Sequence, residues 1–356
     1  MSSSVEASDS STIPVAGTPR AGCCPQRVLV TGAGGFIGSH LVERLLAEGR
    51  CVIGLDERSP WRNAEARRNL GAVLDHPHLR FVQADVGHPS VVLLLEGVTT
   101  VFHLAGQSGV RESWGRHFTR YAEVNILGTQ HLLEACWAVG VQRVVLASSS
   151  SVYGPSAGRP FREIDPAAPL SPYGVSKLAA ERLALAYGRR TRVPFEVVAL
   201  RYFTVYGPRQ RASMLIARVL EATLTGEPVP VFGDGSHRRH FTFIDDAIGA
   251  TAAAGWCSVD SPCVLNVAGP STASVHEVLE AATSITGKHV RFCLQAERGG
   301  EAVITEADLD RAASVLGYRP GVGLTQGMAA QWHWLSRTTT AEEPPAASSM
   351  PVREGK

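Results

Sequence analysis

Through about residue 200, short apolar, β-branched runs alternate with segments whose apolar residues recur every three or four positions. Arg27-Val-Leu-Val30, Cys51-Val-Ile-Gly-Leu55 and Val141-Gln-Arg-Val-Val-Leu-Ala147 read as buried strands; Ser39-His-Leu-Val-Glu-Arg-Leu-Leu46 and Leu178-Ala-Ala-Glu-Arg-Leu-Ala-Leu-Ala186 read as helices. That alternation predicts an α/β fold built on a doubly wound parallel sheet. From Tyr202 onward the pattern loosens and Gly/Pro punctuation rises, which predicts a smaller C-terminal lobe over the carboxyl edge of the sheet. The main domain is expected over 27–201 with 241–266 returning to it, and the smaller lobe over 202–240 and 267–336. Residues 1–26, rich in Ser, Pro and small side chains, and 337–356 read as disordered tails.

Composition narrows the classes of function. A chain of 356 residues with 44% hydrophobic content has enough apolar surface for a full α/β core. Its 34 Lys and Arg against 33 Asp and Glu leave no basic excess for nucleic-acid phosphates. The 7 cysteines (Cys23, Cys24, Cys51, Cys136, Cys257, Cys263 and Cys293) show no Cys-x-x-Cys pair or His partner at metal spacing, so no metal is expected and a reduced, cytoplasmic setting is. The N-terminus lacks a basic start leading into an apolar core, and no run is long enough to span a bilayer.

Three motifs carry the chemistry. Thr31-Gly-Ala-Gly-Gly-Phe-Ile-Gly38 joins the first strand to the first helix. Gly32, Gly35 and Gly38 there would let the backbone approach a pyrophosphate that faces the helix N-terminus. The second strand ends in Asp56, a carboxylate suited to the adenosine ribose and repellent to a 2′-phosphate, so NAD is expected over NADP despite Arg58 nearby. Tyr173 and Lys177, four apart at a helix start, share one face. A lysine ammonium there is expected to bind the nicotinamide ribose and lower the tyrosine pKa, making Tyr173 the acid and base. Ser148-Ser-Ser-Ser151 ends the preceding strand at the edge where open parallel sheets bind ligands. One of these four hydroxyls would share the substrate proton, and Ser149 is preferred.

With these motifs the chain resembles an extended short-chain dehydrogenase/reductase of the nucleotide-sugar epimerase and dehydratase group. The likeness runs from Arg27 to about Leu335. It includes Phe102-His-Leu-Ala-Gly-Gln107, Gly109-Val-Arg-Glu-Ser113, Leu200-Arg-Tyr-Phe-Thr-Val-Tyr-Gly-Pro-Arg-Gln-Arg211, Val231-Phe-Gly-Asp-Gly235 and Phe241-Thr-Phe-Ile-Asp-Asp246. A Rossmann-like sheet with a smaller substrate lobe is what this resemblance implies. It implies NAD contacts at Gly32, Gly35, Phe36, Ile37, Gly38, Asp56, Asp85, Val86, Leu104, Ala105, Gln107, Asn125, Ala147, Tyr173, Lys177 and Tyr202. Counting back four from Tyr153, as in the family pattern, selects Ser149 as the active-site hydroxyl. For a UDP-sugar it implies Ser149, Ser150, Thr204 and Arg211 near the sugar, Val231 and Phe232 under the uracil, Arg239 and Arg298 on the diphosphate, and Glu301 among the substrate contacts.

Within the group, Arg-Tyr-Phe-Thr-Val-Tyr-Gly-Pro and the four-serine strand end resemble the UDP-glucuronate 4-epimerases. Dehydratases of the group carry Asp-Glu at the positions of Ser150 and Ser151, and decarboxylases carry Glu at Ser151. The function implied is NAD-dependent 4-epimerisation of UDP-glucuronate through a 4-keto intermediate. UDP-glucose 4-epimerisation, UDP-glucuronate decarboxylation and non-catalytic binding are the alternatives. Departures from the pattern include His240, where the group usually has aspartate, and Val303. The resemblance also implies a homodimer through helices over Tyr121–Val139 and Tyr173–Arg189, with no nucleic-acid or membrane partner.

Overall fold

The computed structural model describes residues 26–155, 158–190, 195–296 and 302–342. Its strands are β1 (Arg27–Thr31), β2 (Cys51–Asp56), β3 (Leu79–Gln83), β4 (Val98–His103), β5 (Arg143–Ser149), β6 (Glu196–Tyr202), β7 (Val205–Tyr206), β8 (Val229–Phe232), β9 (Arg238–His240), β10 (Thr242–Phe243), β11 (Cys263–Val267), β12 (Thr272–Ser274), β13 (Phe292–Gln295) and β14 (Ile304–Thr305). The α-helices are α1 (Phe36–Ala47), α2 (Ala64–Leu70), α3 (Val91–Leu94), α4 (Phe118–Tyr121), α5 (Gly128–Val139), α6 (Pro172–Tyr187), α7 (Leu215–Thr225), α8 (Ile244–Ala254), α9 (Val275–Thr286), α10 (Asp310–Leu316) and α11 (Leu324–Glu342).

Seven strands form one parallel sheet in the order β11-β6-β5-β4-β1-β2-β3. The chain runs outward from β1 in one direction through β2 and β3, then returns to β4 and runs out the other way. The gap between β1 and β4 is therefore the topological switch point, the place where doubly wound sheets open a ligand crevice. Successive strand residues point to opposite faces. Val28, Val30, Phe102, Val198 and Leu265 accordingly join Leu41 and Leu45 of α1 and Ala247 of α8 on one side. Leu29, Leu55, Val101 and Leu146 join Leu132 of α5 and Leu185 of α6 on the other. Each fully buried Leu or Val contributes about 1.5–3 kcal/mol relative to exposure, so both faces hold the sheet rigid beneath the site.

The smaller structures sit beyond the carboxyl edge: a parallel pair β8 and β13, a three-stranded β12-β9-β14 sheet, and a β7–β10 pair. Helix α9 begins with a reciprocal capping box between Ser274 and Glu277, which fixes its start against β12.

Two expectations need correction. The helix expected over Tyr121–Val139 contains a π segment, Ala122–Leu127, between α4 and α5. Helix α11 runs to Glu342, past the tail boundary at 337, because adding a residue to a formed helix requires no new nucleus. Among the described residues, Cys136, Cys257, Cys263 and Cys293 are free thiols. No helix among the described residues is long and apolar enough to cross a membrane.

Candidate active site

The glycine turn after β1 is shaped by close approach. Gly32 sits at φ 71°, and a Cβ there would lie 2.8 Å from the backbone N of Ala105. A Cβ on Gly38 would lie 2.0 Å from the carbonyl oxygen of Gly32. Helix α1 starts after Gly35 with no side-chain cap, leaving first-turn N–H groups free to face an anion. This bare cradle fits a dinucleotide pyrophosphate. At the end of β2, Asp56 is 6% exposed and accepts from the N–H of Gly34 and of Arg58, both at 2.9 Å, and from Arg58 Nε at 3.3 Å. Its orientation is thus fixed before any ribose arrives.

A cavity of about 530 Å³ opens over these elements. Gly32, Gly35, Phe36, Ile37, Gly38, Asp56, Asp85, Val86, Leu104, Ala105, Gln107, Ala147, Ser149, Ser150, Tyr173, Lys177, Tyr202, Thr204 and Arg211 all line it. An adjoining cavity of about 330 Å³ is lined by Ser150, Thr204, Arg211, Val231, Phe232 and Arg239. Arg298 and Glu301 lie outside the described residues. Asn125 does not line either cavity. It is buried one layer behind, where Oδ1 accepts from the Gln107 N–H (2.8 Å) while Nδ2 donates to the Gln107 carbonyl (3.0 Å) and to Ser176 Oγ (2.9 Å). The π segment widens the helix there and turns this amide onto the Gln107 loop, so Asn125 shapes the wall rather than forming it.

The four serines separate by partner. Ser148 Oγ donates to Glu181 Oε2 at 2.7 Å, pointing into the protein. Ser149 Oγ accepts from the N–H of Ser151 and hydrogen-bonds Tyr173. Ser150 and Ser151 line both cavities. Ser149 is therefore the hydroxyl that meets the tyrosine.

Helix α6 presents Tyr173 and Lys177 because Ser171 caps it, accepting from the Gly174 N–H at 3.1 Å, and Pro172 opens its first turn. Burial raises the Tyr173 pKa, outweighing the Ser149 hydrogen bond and the Arg211 charge, which both lower it. This corrects the expected net lowering: the charge that acts on the phenol here is Arg211. Lys177 is 7% exposed, and burial pulls its pKa down to about 8 while Glu181 pushes the other way. Glu181, fully buried, accepts from Arg201 Nε (2.9 Å) and Nη2 (2.6 Å). Arg201 lies on β6 with its guanidinium 4.6 Å from the Tyr153 ring. Neither Glu181 nor Arg201 carried a role in the sequence reading; their signal was two opposite charges within predicted buried elements.

Beneath the sheet edge, His103 is held neutral, its pKa pulled to about 3 by burial and by Lys177. Thr129 donates to the Asn125 carbonyl at 2.7 Å, so it accepts from Nε2–H of His103; Nδ1 is left to accept from the Thr31 hydroxyl at 2.8 Å. His240 also stays neutral, burial lowering it to about 4, and its Nδ1 accepts from the Ala307 N–H at 3.0 Å. The imidazole thus fills an acceptor role that a carboxylate could also fill.

Residues 28–268 match the profile of the NAD dependent epimerase/dehydratase family. A UDP-glucose epimerase of Bacillus subtilis (strain 168), itself uncharacterized, is 40% identical over 313 residues, covering 87% of this chain and 98% of that protein. Among solved structures, MoeE5 in complex with UDP-glucuronic acid and NAD superposes with a TM-score of 0.81 at 44% identity, covering 88% of this chain and 99% of that one. MoeE5 has also been solved with UDP-glucose and NAD. The UDP-glucuronic acid 4-epimerase of Bacillus cereus, with UDP-glucuronic acid and NAD, gives a TM-score of 0.84 at 37% identity, covering 88% and 100%. This chain belongs to the NAD dependent epimerase/dehydratase family, and NAD is its cofactor.

Proposed function

We propose that this enzyme, an NAD-dependent UDP-sugar 4-epimerase, acts on UDP-glucuronate and converts it to UDP-galacturonate. The observation that carries the reading is the wall beside Tyr173, where Ser149, Ser150, Ser151 and Thr204 offer neutral hydroxyls next to the Arg211 guanidinium. Hydroxyl donors hydrogen-bond a carboxylate without the repulsion an acid would introduce. NAD, when bound, supplies the acceptor and later the donor of the carbon-4 hydride. Tyr173 takes the proton of the 4-hydroxyl as carbon 4 is oxidised, and returns it when the turned 4-keto sugar is reduced on its other face. Ser149 holds the tyrosine hydroxyl in place for both transfers. A 4-keto uronate is a β-keto acid, prone to lose carbon dioxide when its carboxylate bond aligns with the ketone π system. Hydrogen bonds from Ser150 and Thr204 would hold the carboxylate out of that alignment.

Val231 and Phe232 form the floor assigned to the uracil, with Arg239 at its edge for the diphosphate. The second reading, UDP-glucose as substrate, is favoured by the name of the Bacillus subtilis relative and by the UDP-glucose complex of MoeE5. We also read the protein as a homodimer through α5, α6 and the π segment, a reading supported by exposed Leu127, Val139 and Val175 on these elements.

The test is to incubate purified enzyme, without added reductant, with UDP-glucuronate and separately with UDP-glucose, and to read products by mass and proton NMR. An isomer of unchanged mass from the uronate is the expected result. Loss of carbon dioxide would make the enzyme a decarboxylase, and turnover of UDP-glucose alone would reject the carboxylate role of the hydroxyl wall.

A further inference from the structure

The segment Gly207–Arg211 links the two cavities, and one of its residues has an unusual backbone. Arg209 is the only non-glycine residue among those described with a positive φ, 69°. A side chain in the left-handed region is held there against a local preference, so something around it must over-determine the conformation.

Helix α1 supplies that hold. Arg209 Nη2 donates to Glu43 Oε1 at 2.6 Å, and Nη1 donates to Ser39 Oγ at 3.3 Å. His40 Nε2 lies 3.1 Å from the carbonyl oxygen of Pro208, which can only accept, so the ring proton sits on Nε2. Nδ1 then offers its lone pair toward Arg209 Nη1 at 3.5 Å. Thus consecutive groups of one loop, the Pro208 carbonyl and the Arg209 guanidinium, are fastened to the helix whose first turn forms the pyrophosphate cradle. Phe36, which lines the cofactor cavity, packs edge-on against His40 with ring centroids 5.8 Å apart. The next two residues of the loop, Gln210 and Arg211, line the cofactor cavity, and Arg211 also reaches the adjoining one.

We propose that Arg209 is a positioning residue that clamps the Arg211 loop onto the cofactor helix and so sets the affinity for the nucleotide-sugar without touching it. This rests on the reading of the smaller cavity as a UDP-sugar site. The guanidinium fork suits the site because its two terminal nitrogens reach Glu43 and the Ser39–His40 pair from separate positions, whereas an ammonium would have to serve all three from one nitrogen.

The experiment uses the NAD-loaded enzyme, with UDP as the binding probe in calorimetry and UDP-glucuronate and UDP-glucose in turnover. Arg209→Ala is expected to weaken UDP binding and raise KM about tenfold, with kcat within about threefold and NAD content unchanged, a split that marks lost ground-state positioning. Glu43→Gln should move both in the same direction, and Arg209→Lys should recover only part of the loss. Arg209→Gly should bind UDP as weakly as Arg209→Ala even though it relieves the backbone. Unchanged UDP affinity and KM in Arg209→Ala, or full binding in Arg209→Gly, would overturn the clamp. Should Arg209→Ala fail to fold, unchanged UDP affinity in Glu43→Gln overturns it alone. A wild-type enzyme that binds no UDP would reject the function reading and the clamp together, whereas wild-type binding with unaffected variants rejects the clamp only.

Discussion

Lys177 is charged in a place that resists charge. A pKa drawn from 10.5 to about 8 corresponds to a penalty on the order of 3 kcal/mol for the ammonium relative to an exposed lysine. Because the folded pKa is depressed, that penalty is carried below pH 8 and fades as pH rises toward 10.5. Glu181, one turn along α6, is the group that limits it. The basic limb of kcat/KM should therefore fall near pH 8, and Glu181→Gln should move it to lower pH, since removing a negative neighbour favours the neutral amine. A limb that stays put, in a variant whose melting curve shows it folded, would separate Glu181 from the lysine. Tyr173 works against burial in the opposite sense, its phenolate disfavoured except for Ser149 and Arg211. Tyr173→Phe should reduce kcat by about a thousandfold or more while bound NAD persists, because the hydroxyl contributes proton transfer rather than the cradle. Measurable turnover near the wild-type rate would remove Tyr173 from its role.

At the scale of elements, what was legible followed from local signals. The β1 turn and α1 start were readable because strand, glycines and helix are contiguous, and α6 because Tyr173 and Lys177, four apart, lead straight into the apolar periodicity of Leu178–Ala186. The position of Asn125 was not readable, since it depends on a π segment that no periodicity marks. Nor was the direction of the Tyr173 shift: spacing puts Lys177 on the same face but says nothing of how deeply the phenol is buried or that Arg211 arrives from a distant loop. The β1 turn gives the sharpest element-level expectation. Gly38→Ala places a methyl 2.0 Å from the Gly32 carbonyl, so α1 must move away from β1. Backbone, not a flexible side chain, is what it meets, and the cost should be about 1–3 kcal/mol with loss of bound NAD. Cofactor absorbance and a melting curve on the purified variant would check both; full NAD content would mean the turn relaxes more easily than its geometry allows.

Over the whole molecule, NAD would span the switch point between β1 and β4, touching the ends of β1, β2, β4, β5 and β6, which belong to both halves of the sheet. A ligand that binds only the folded chain stabilises it by about 2.7 kcal/mol at a hundredfold excess over its Kd. Removing NAD should accordingly lower the melting temperature by several degrees, and adding it back should restore the loss. NADP should not restore it. Asp56 has an oxygen on each of two backbone N–H groups, so its carboxylate cannot swing aside to admit a 2′-phosphate. Arg58 is already engaged by Asp56 and by Glu65, at 3.1 Å, and accepting the phosphate would mean giving up both ion pairs. Equal protection by NADP and NAD in the melting assay would mean that Arg58 leaves Asp56 and Glu65 readily, and that the charge at the end of β2 does not select the cofactor.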